Sequence, residues 1–204
     1  MRKYLIFDTE TGGFNAKKTA LLSVAGILID EMLQPLERFN VFLANTYDKE
    51  IGTKALEINH IDPESIPNGV SVPEFVEMFQ PLVDRADGGF MCHNSAFDYP
   101  FVIENGITIP EKVLDTCHMS WDIWGLEESA KLINCYKRIG YDPGEKAHHA
   151  DFDCEMTLKL LQWFADNKKL KLPPAMFTLP KGYYKIKAFG YRALLLTKLV
   201  ERAN

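Results

Sequence analysis

An apolar run near the amino terminus ends abruptly in two carboxylates. Residues 4–7 read Tyr-Leu-Ile-Phe, and Asp8-Thr9-Glu10-Thr11-Gly12-Gly13 follows directly. A short apolar run closed by glycines predicts a buried strand, and residues two apart on a strand point to the same side. We therefore expect Asp8 and Glu10 to face the same way at the carboxyl end of a central strand, where α/β sheets place their ligands. Two such acids repel each other unless a cation lies between them.

The spacing Asp-x-Glu occurs four times among the 204 residues, so context has to decide which copy carries chemistry. The copies at residues 48–50 and 62–64 lie in polar segments that contain glycine or proline. We interpret both as solvated surface. The copy at residues 8–10 is the one that ends an apolar run, and it is therefore the first candidate site.

Two further segments combine histidine with aspartate beside a predicted helix. Residues 90–98 read Phe-Met-Cys-His-Asn-Ser-Ala-Phe-Asp, a strand and a turn that place the last aspartate in the first turn of a helix. Residues 147–153 read Ala-His-His-Ala-Asp-Phe-Asp at the start of a long predicted helix. Helix capping is the structural alternative at both places, because carboxylates favour helix amino termini. Four acids from the three segments could hold two hard divalent cations, with a histidine at the rim as proton acceptor: Asp8, Glu10, Asp98 and Asp153.

Hydrophobic patterning predicts a mixed sheet flanked by helices. Strands are predicted at residues 3–8, 20–29, 37–44, 90–92 and 113–116. Helices are predicted at residues 53–59, 97–105, 129–139 and 150–167, and another begins with a Ser-x-x-Glu capping box at Ser71. Three successive β-elements followed by alternating helices and strands indicate an α/β protein.

Composition and charge narrow the class of protein. Apolar residues make up 47% of the chain and charged residues 25%, which excludes global disorder. The net charge of −5 would by itself argue against a protein that coats nucleic acid. That charge is uneven, because residues 181–204 carry a net +5 and the remainder −10. Four cysteines without a Cys-x-x-Cys pair, and no apolar stretch near about 20 residues, predict a cytoplasmic protein with reduced thiols and no membrane span.

Three motifs, in this order along the chain, resemble those of the DEDDh family of 3′→5′ exonucleases, which includes the proofreading subunit of bacterial DNA polymerase III. The family patterns Asp-x-Glu-Thr-Gly, His-Asn-x-x-Phe-Asp and His-x-Ala-x-x-Asp are matched at residues 8–12, 93–98 and 148–153. Weaker similarities lie at residues 58–61 and 114–116. The resemblance covers about residues 3–168.

The resemblance implies a ribonuclease-H-like fold, with a central, mostly five-stranded mixed sheet and flanking helices. It implies two divalent ions, Mg²⁺ or Mn²⁺, held by the four acids named above. It also implies a general base at His148, and the adjacent His149 is the alternative. The residues implied in substrate binding are Thr11, Gly12 and, at the position of a family histidine, Asn59 or His60.

The expected activity is hydrolysis of single-stranded or frayed DNA from its 3′ end, releasing nucleoside 5′-monophosphates. An RNA exonuclease of the same family is the first alternative, because the metal site reads phosphate rather than sugar. A non-catalytic subunit that binds a polymerase is the second. A polymerase partner in addition to catalysis also remains open.

The chain is predicted to divide into an exonuclease domain, residues 1–170, and a basic carboxyl-terminal extension, residues 171–204. The extension interleaves basic residues with aromatic ones, which is typical of a nucleic-acid contact. It also contains a predicted helix near residues 191–202 whose leucines favour packing on the domain or on a partner. We expect packing or partner binding, with a DNA contact as the alternative.

Overall fold

A mixed sheet forms the centre of the protein in the computed structural model, which describes residues 2–45, 47–109, 112–125 and 129–168 and the backbone of residues 177–178. Within those residues the strands are β1 (Lys3–Thr11), β2 (Leu21–Asp30), β3 (Pro35–Phe42), β4 (Gly89–Cys92), β5 (Lys112–Asp115) and β6 (Phe177–Thr178). Their spatial order is β3-β2-β1-β4-β5-β6. Strands β1 to β3 form an antiparallel meander, β4 and β5 run parallel to β1, and β6 is antiparallel to β5. The predicted α/β class with a mixed sheet is confirmed, and the two-residue β6 adds a sixth strand.

Six α-helices accompany the sheet in the described residues: α1 (Thr53–Asn59), α2 (Val72–Arg85), α3 (Ser95–Glu104), α4 (Thr116–Trp124), α5 (Leu132–Arg138) and α6 (Ala150–Lys168). Short 3₁₀ helices span Pro63–Asn68 and Gly144–Lys146. The predicted capping box forms at α2, where Ser71 and Glu74 each accept a hydrogen bond from the other's backbone N–H. Helix α4 was not predicted. Its segment is rich in aromatic and polar residues of modest helix propensity, and its start depends on a cap from Asp115.

The strict alternation of β1 sorts its side chains between two cores. Leu5 and Phe7 face the core that contains α2 and α3. Tyr4 and Ile6 face the core that contains α6. Asp8 and Glu10 continue this second set, and α6 crosses the same face of the sheet. The strand therefore directs both acids toward the beginning of α6.

The remaining structural expectations concern the thiols, the membrane and the extension. All four cysteines are buried and free. In the part of the chain that the structure describes, no helix is both long enough and apolar enough to cross a membrane. The helix predicted near residues 191–202 lies outside the described residues, as does the extension apart from the backbone of β6.

Candidate active site

Three carboxylates from two elements meet at the carboxyl end of β1. Asp8 and Glu10 come from the strand, and Asp153 comes from the first turn of α6. One oxygen from each lies within 4.8 Å of the others. The strand and the helix are far apart in the sequence. They meet because the apolar side chains of β1 and α6 pack in one core.

Asp98 lies beside this group and has partners of its own. Its carboxylate is 2% exposed, and Oδ1 accepts hydrogen bonds from the backbone N–H of Thr9 at 3.0 Å and from the Thr9 hydroxyl at 2.8 Å. Because Thr9 stands between Asp8 and Glu10 on β1, these bonds tie α3 to the strand that carries two of the acids. The three-carboxylate group does not include Asp98.

Burial, together with the charges of nearby carboxylates, disfavours the charged forms of all four acids. Burial, followed by the charges of Asp98, Asp153 and Glu10, raises the pKa of Asp8 well above its usual value. Burial, followed by the charges of Asp153 and Asp98, raises the pKa of Glu10 to about 9. Burial is the largest cause at the other two acids as well and raises the pKa of Asp98 and of Asp153 to about 7, although hydrogen bonds oppose it.

The chemistry of this donor set fits hard divalent cations. Carboxylate oxygens are the ligands that Mg²⁺ and Mn²⁺ prefer, and clustered acids need positive charge between them. Within the described residues, the two ion pairs are Arg38–Glu155 and Arg85–Glu37, and neither includes one of the four acids. A bound cation would provide the missing charge.

The two adjacent histidines have different surroundings. The backbone N–H of His148 donates to Oδ1 of Asp153 at 3.2 Å, and its φ of 65° places this residue in the left-handed region. Its ring is exposed at the rim, where partial burial and then the neighbouring His60, His149 and Lys131 lower its pKa. The ring of His149 instead stacks on that of His60, with centroids 5.7 Å apart.

The residues predicted to hold substrate make internal hydrogen bonds. The Thr11 hydroxyl donates to the carbonyl of Gly13 at 2.8 Å, and the buried Asn59 amide donates to the carbonyl of Thr11 at 3.1 Å. The backbone of Gly12 donates to Ala20 and accepts from Gly52. These bonds fix the shape of the chain after β1. A direct role of these residues, or of the exposed His60, in substrate binding stays a prediction.

Phe14 is a candidate that the sequence reasoning missed. It follows the two glycines, its side chain is 93% exposed, and its ring meets that of Phe97 edge-on with centroids 6.1 Å apart. Phe97 directly precedes Asp98 in the first turn of α3. The signal in the sequence was an aromatic residue in a polar loop directly after the first motif.

The fold and the acidic site together define a nuclease of the ribonuclease-H-like superfamily. Residues 5–161 match the model of the family described as Exonuclease (RNase_T). The chain belongs to this family, whose members depend on divalent metal ions, and it is a DEDDh 3′→5′ exonuclease. The predicted family, fold and enzyme class are confirmed.

Two relatives and one solved structure are similar to this chain. Ribonuclease T of Histophilus somni is 29% identical over 188 residues, which cover 81% of this chain and 84% of the relative. DNA polymerase III PolC-type of Mycoplasma pneumoniae is 25% identical over 174 residues, which cover 82% of this chain but 12% of the polymerase. The structure of E. coli exonuclease I in complex with a dT13 oligonucleotide has a TM-score of 0.72 at 15% identity, covering 83% of this chain and 42% of that chain. The chain therefore spans about two fifths of exonuclease I.

Proposed function

We propose that this protein hydrolyses DNA from a single-stranded or frayed 3′ end and releases nucleoside 5′-monophosphates. The observation that carries the proposal is the convergence of Asp8, Glu10 and Asp153, with Asp98 beside them, at the end of one strand. Such a set suits two divalent ions, Mg²⁺ or Mn²⁺, which would lower the pKa of the attacking water and neutralise the phosphate. The proposed ligands are these four acids.

His148 is the proposed general base. Its lowered pKa keeps the imidazole neutral near pH 7, so that it can accept a proton from the attacking water. The hydrogen bond from its backbone N–H to Asp153 holds His148 next to one of the four acids. His149 is the less suited candidate, because its ring already stacks on His60.

The aromatic pair offers a surface for the terminal nucleobase. An exposed phenylalanine such as Phe14 stacks on any base, because every base has a π-face. Such contact selects single-stranded or unpaired ends, whose bases are available for stacking. It therefore supports the preference for single-stranded or frayed ends in this proposal.

A groove on the side of the sheet that α6 covers is the proposed path for the rest of the nucleic acid. It lies between β3 and the start of α6, and its lining includes Arg38, Lys146, His149 and Asn40. Arg38 is paired with Glu155, so Lys146, His149 and Asn40 are the groups proposed to contact phosphates, which the acids alone would repel. The groove is also lined by Asp151 and Glu155, which repel phosphates. We therefore expect a moderate affinity of the groove for nucleic acid, which decreases as the salt concentration rises.

RNA is the second candidate substrate, and a polymerase is a candidate partner. The name of ribonuclease T, the H. somni relative, favours RNA, whereas the dT13 complex of exonuclease I favours DNA. The PolC-type relative supports an association with a polymerase. The proposed metal site would contact phosphate rather than sugar, so it does not discriminate between ribose and deoxyribose.

A degradation ladder on 5′-labelled DNA and RNA tests the proposal. We expect stepwise shortening of DNA from the 3′ end in Mg²⁺ or Mn²⁺, no shortening in EDTA, and slower shortening of RNA. Asp8→Asn should lower the rate by about 10³-fold, since a metal ligand contributes several kcal/mol. Asp62→Asn, at the exposed cap of the 3₁₀ helix, is the matched control. EDTA-resistant cleavage, or wild-type activity of Asp8→Asn, would overturn the proposal, and faster shortening of RNA would favour the second candidate.

A further inference from the structure

Two pieces of the family-like motifs have no role in the chemistry described above. They are His93-Asn94, which begins the second motif, and Asp115-Thr116, at the end of β5. The parallel pairing of β4 with β5 sets Cys92 opposite Asp115, so the two pieces leave the sheet side by side. Hydrogen bonds from Asn94 and Ser95, at the start of α3, to Asp115 connect the two pieces.

The Asp115 carboxylate collects five hydrogen bonds from two helix amino termini. Oδ2 accepts from the backbone N–H and the hydroxyl of Ser95, both at 2.8 Å. Oδ1 accepts from the N–H groups of Asn94 at 3.0 Å, Cys117 at 2.9 Å and His118 at 3.4 Å. A carboxylate that is 2% exposed and accepts this many donors is held in one position.

Helix α3 depends on this neighbour for its cap. Its own N-cap residue, Asn94, has a φ of 72° and makes no capping hydrogen bond with its side chain. Asp115 provides the acceptors instead, from another strand. Asp98 lies three residues after Ser95, within the turn that these bonds hold.

Two further hydrogen bonds, both from the His93 ring, lie beside those of Asp115. The His93 ring pairs through Nδ1 with the Thr116 hydroxyl at 2.8 Å and through Nε2 with the carbonyl of Ala130 at 2.6 Å. The bond to Ala130 requires a proton on Nε2. The end of β5 therefore anchors the start of α3 and, through His93, the segment that precedes α5.

We propose that Asp115 is a positioning residue, which fixes the first turn of α3 and thereby sets the Asp98 carboxylate against Thr9 and the three other acids. This inference rests on the proposed metal-dependent function of those acids. The hydrogen bonds from Asn94 and Ser95 connect Asp115 to the backbone of α3, which carries Asp98.

Ser95→Ala separates position from charge. Asp115→Asn removes a negative charge near the proposed cation site and also places an amide NH₂ against backbone N–H groups that need an acceptor, so both changes should weaken cation binding. Ser95→Ala leaves the charge of Asp115 in place and removes only the hydroxyl bond that helps to hold the first turn of α3. Weaker binding by Ser95→Ala therefore reports on position alone.

The experiment measures Mn²⁺ binding to the folded full-length chain by calorimetry, without nucleic acid, for the wild type, Asp115→Asn and Ser95→Ala. We expect Asp115→Asn to bind Mn²⁺ about 10- to 100-fold more weakly, the range found when the support of a metal ligand is lost. The kcat on a labelled oligonucleotide should fall with it, while KM stays within about 2-fold. Ser95→Ala removes one of the five bonds and should weaken binding by a smaller factor in the same direction, and it provides the test if Asp115→Asn does not fold.

Ser71→Ala, at the cap of α2 remote from the acids, is the matched control for Ser95→Ala and should leave Mn²⁺ affinity unchanged. Unchanged or tighter Mn²⁺ binding by both folded site variants would overturn the inference and leave the proposed function intact. If the wild type itself bound no Mn²⁺ and cleaved DNA in EDTA, the proposed function would fail, and the inference with it.

Discussion

His148 and His149 are adjacent in the chain, but the structure gives them different partners. The first is linked through its backbone to Asp153 and exposes its ring, and the second stacks on His60. We expect His148→Gln to lower kcat by about 10²- to 10⁴-fold, the usual contribution of a general base. His149→Gln should lower it by less than about 10-fold, because it removes only a ring contact. Single-turnover rates on 5′-labelled DNA measure both.

The pH dependence of that rate provides the internal control. When Mg²⁺ is saturating at every pH and so keeps the four carboxylates ionised, the wild-type rate should stay flat as pH falls from 8 toward about 6.5 and should fall only below that, because the pKa of His148 lies below its ordinary value. His148→Gln should lose this acidic limb, whereas His149→Gln should keep it. A large loss in His149→Gln with a mild one in His148→Gln would transfer the role of base to His149.

Phe14 allows a separate test of substrate contact. Its side chain is 93% exposed, so Phe14→Ala should leave the thermal unfolding midpoint unchanged. It should weaken binding of a short oligo-dT by about 1–3 kcal/mol, the usual effect of losing one base stack. Fluorescence anisotropy in Ca²⁺, to prevent cleavage, measures the affinity. Met32→Ala, 71% exposed on the β2–β3 turn, should bind normally, and equal affinity of the two variants would argue against stacking on Phe14.

The acids also show which residues a sequence can place. The period of a strand is fixed, so Asp8 and Glu10 could be put on one side from their spacing alone, as the structure has them. The approach of Asp153 depends on how α6 packs, so the sequence could name Asp153 as a candidate partner of these acids but could not derive the contact. The bonds from Thr9 to Asp98 could not be foreseen, because they join elements 89 residues apart.

At the scale of elements, boundaries depended on partners that lie far along the chain. Strand β1 was expected to end at Asp8, but it continues to Thr11 because β2 pairs with it as far as Leu21. Helix α2 begins at its predicted capping box, which is a local signal. Helix α4 was missed because its start depends on the buried Asp115, whose role is set by the end of β5.

The end of β1 provides a prediction about packing at a glycine. A Cβ at Gly12 would lie 2.7 Å from the carbonyl oxygen of Glu50 and 3.0 Å from Cα of Ile51, both backbone atoms. At Gly13 the nearest atom, at 2.8 Å, is a methyl group of the Thr19 side chain, which can rotate. We expect Gly12→Ala to destabilise the protein by about 1–3 kcal/mol, as overpacking does, and Gly13→Ala by less than about 1 kcal/mol. Urea unfolding measures both, and equal effects would show that the loop at residues 50–51 yields easily.

For the whole molecule, the distribution of charge matters more than its total. The net charge of −5 includes four acids of the site, which bound divalent ions would neutralise. Residues 181–204 carry a net charge of +5. They lie in the predicted extension, residues 171–204, whose packing, partner or DNA contact stays a prediction, as does its boundary with the domain at residues 1–170. The predicted cytoplasmic location likewise depends on sequence alone.

The raised carboxyl pKa values make stability depend on pH when no metal is bound. In the unfolded chain these acids titrate near pH 4. In the folded protein the pKa is about 7 for Asp98 and Asp153 and about 9 for Glu10. Between about pH 4 and pH 9 the folded state therefore binds more protons than the unfolded state, and the free energy of unfolding decreases as pH rises.

We therefore expect the thermal unfolding midpoint in EDTA to fall as pH rises from about 5 to 9. Saturating Mg²⁺ or Mn²⁺ should raise the midpoint more at pH 8 than at pH 6, because the cation binds the ionised acids. Differential scanning calorimetry across this range measures both effects. Asp8→Asn removes one of the repelling charges, so in EDTA it should raise the midpoint at pH 8, flatten the pH slope and reduce the gain from metal. Glu57→Gln, an exposed change on α1, should behave as wild type. A midpoint that rises with pH in EDTA, or an Asp8→Asn variant less stable than wild type at pH 8, would contradict the view that the site is an acid cluster held together by bound cations.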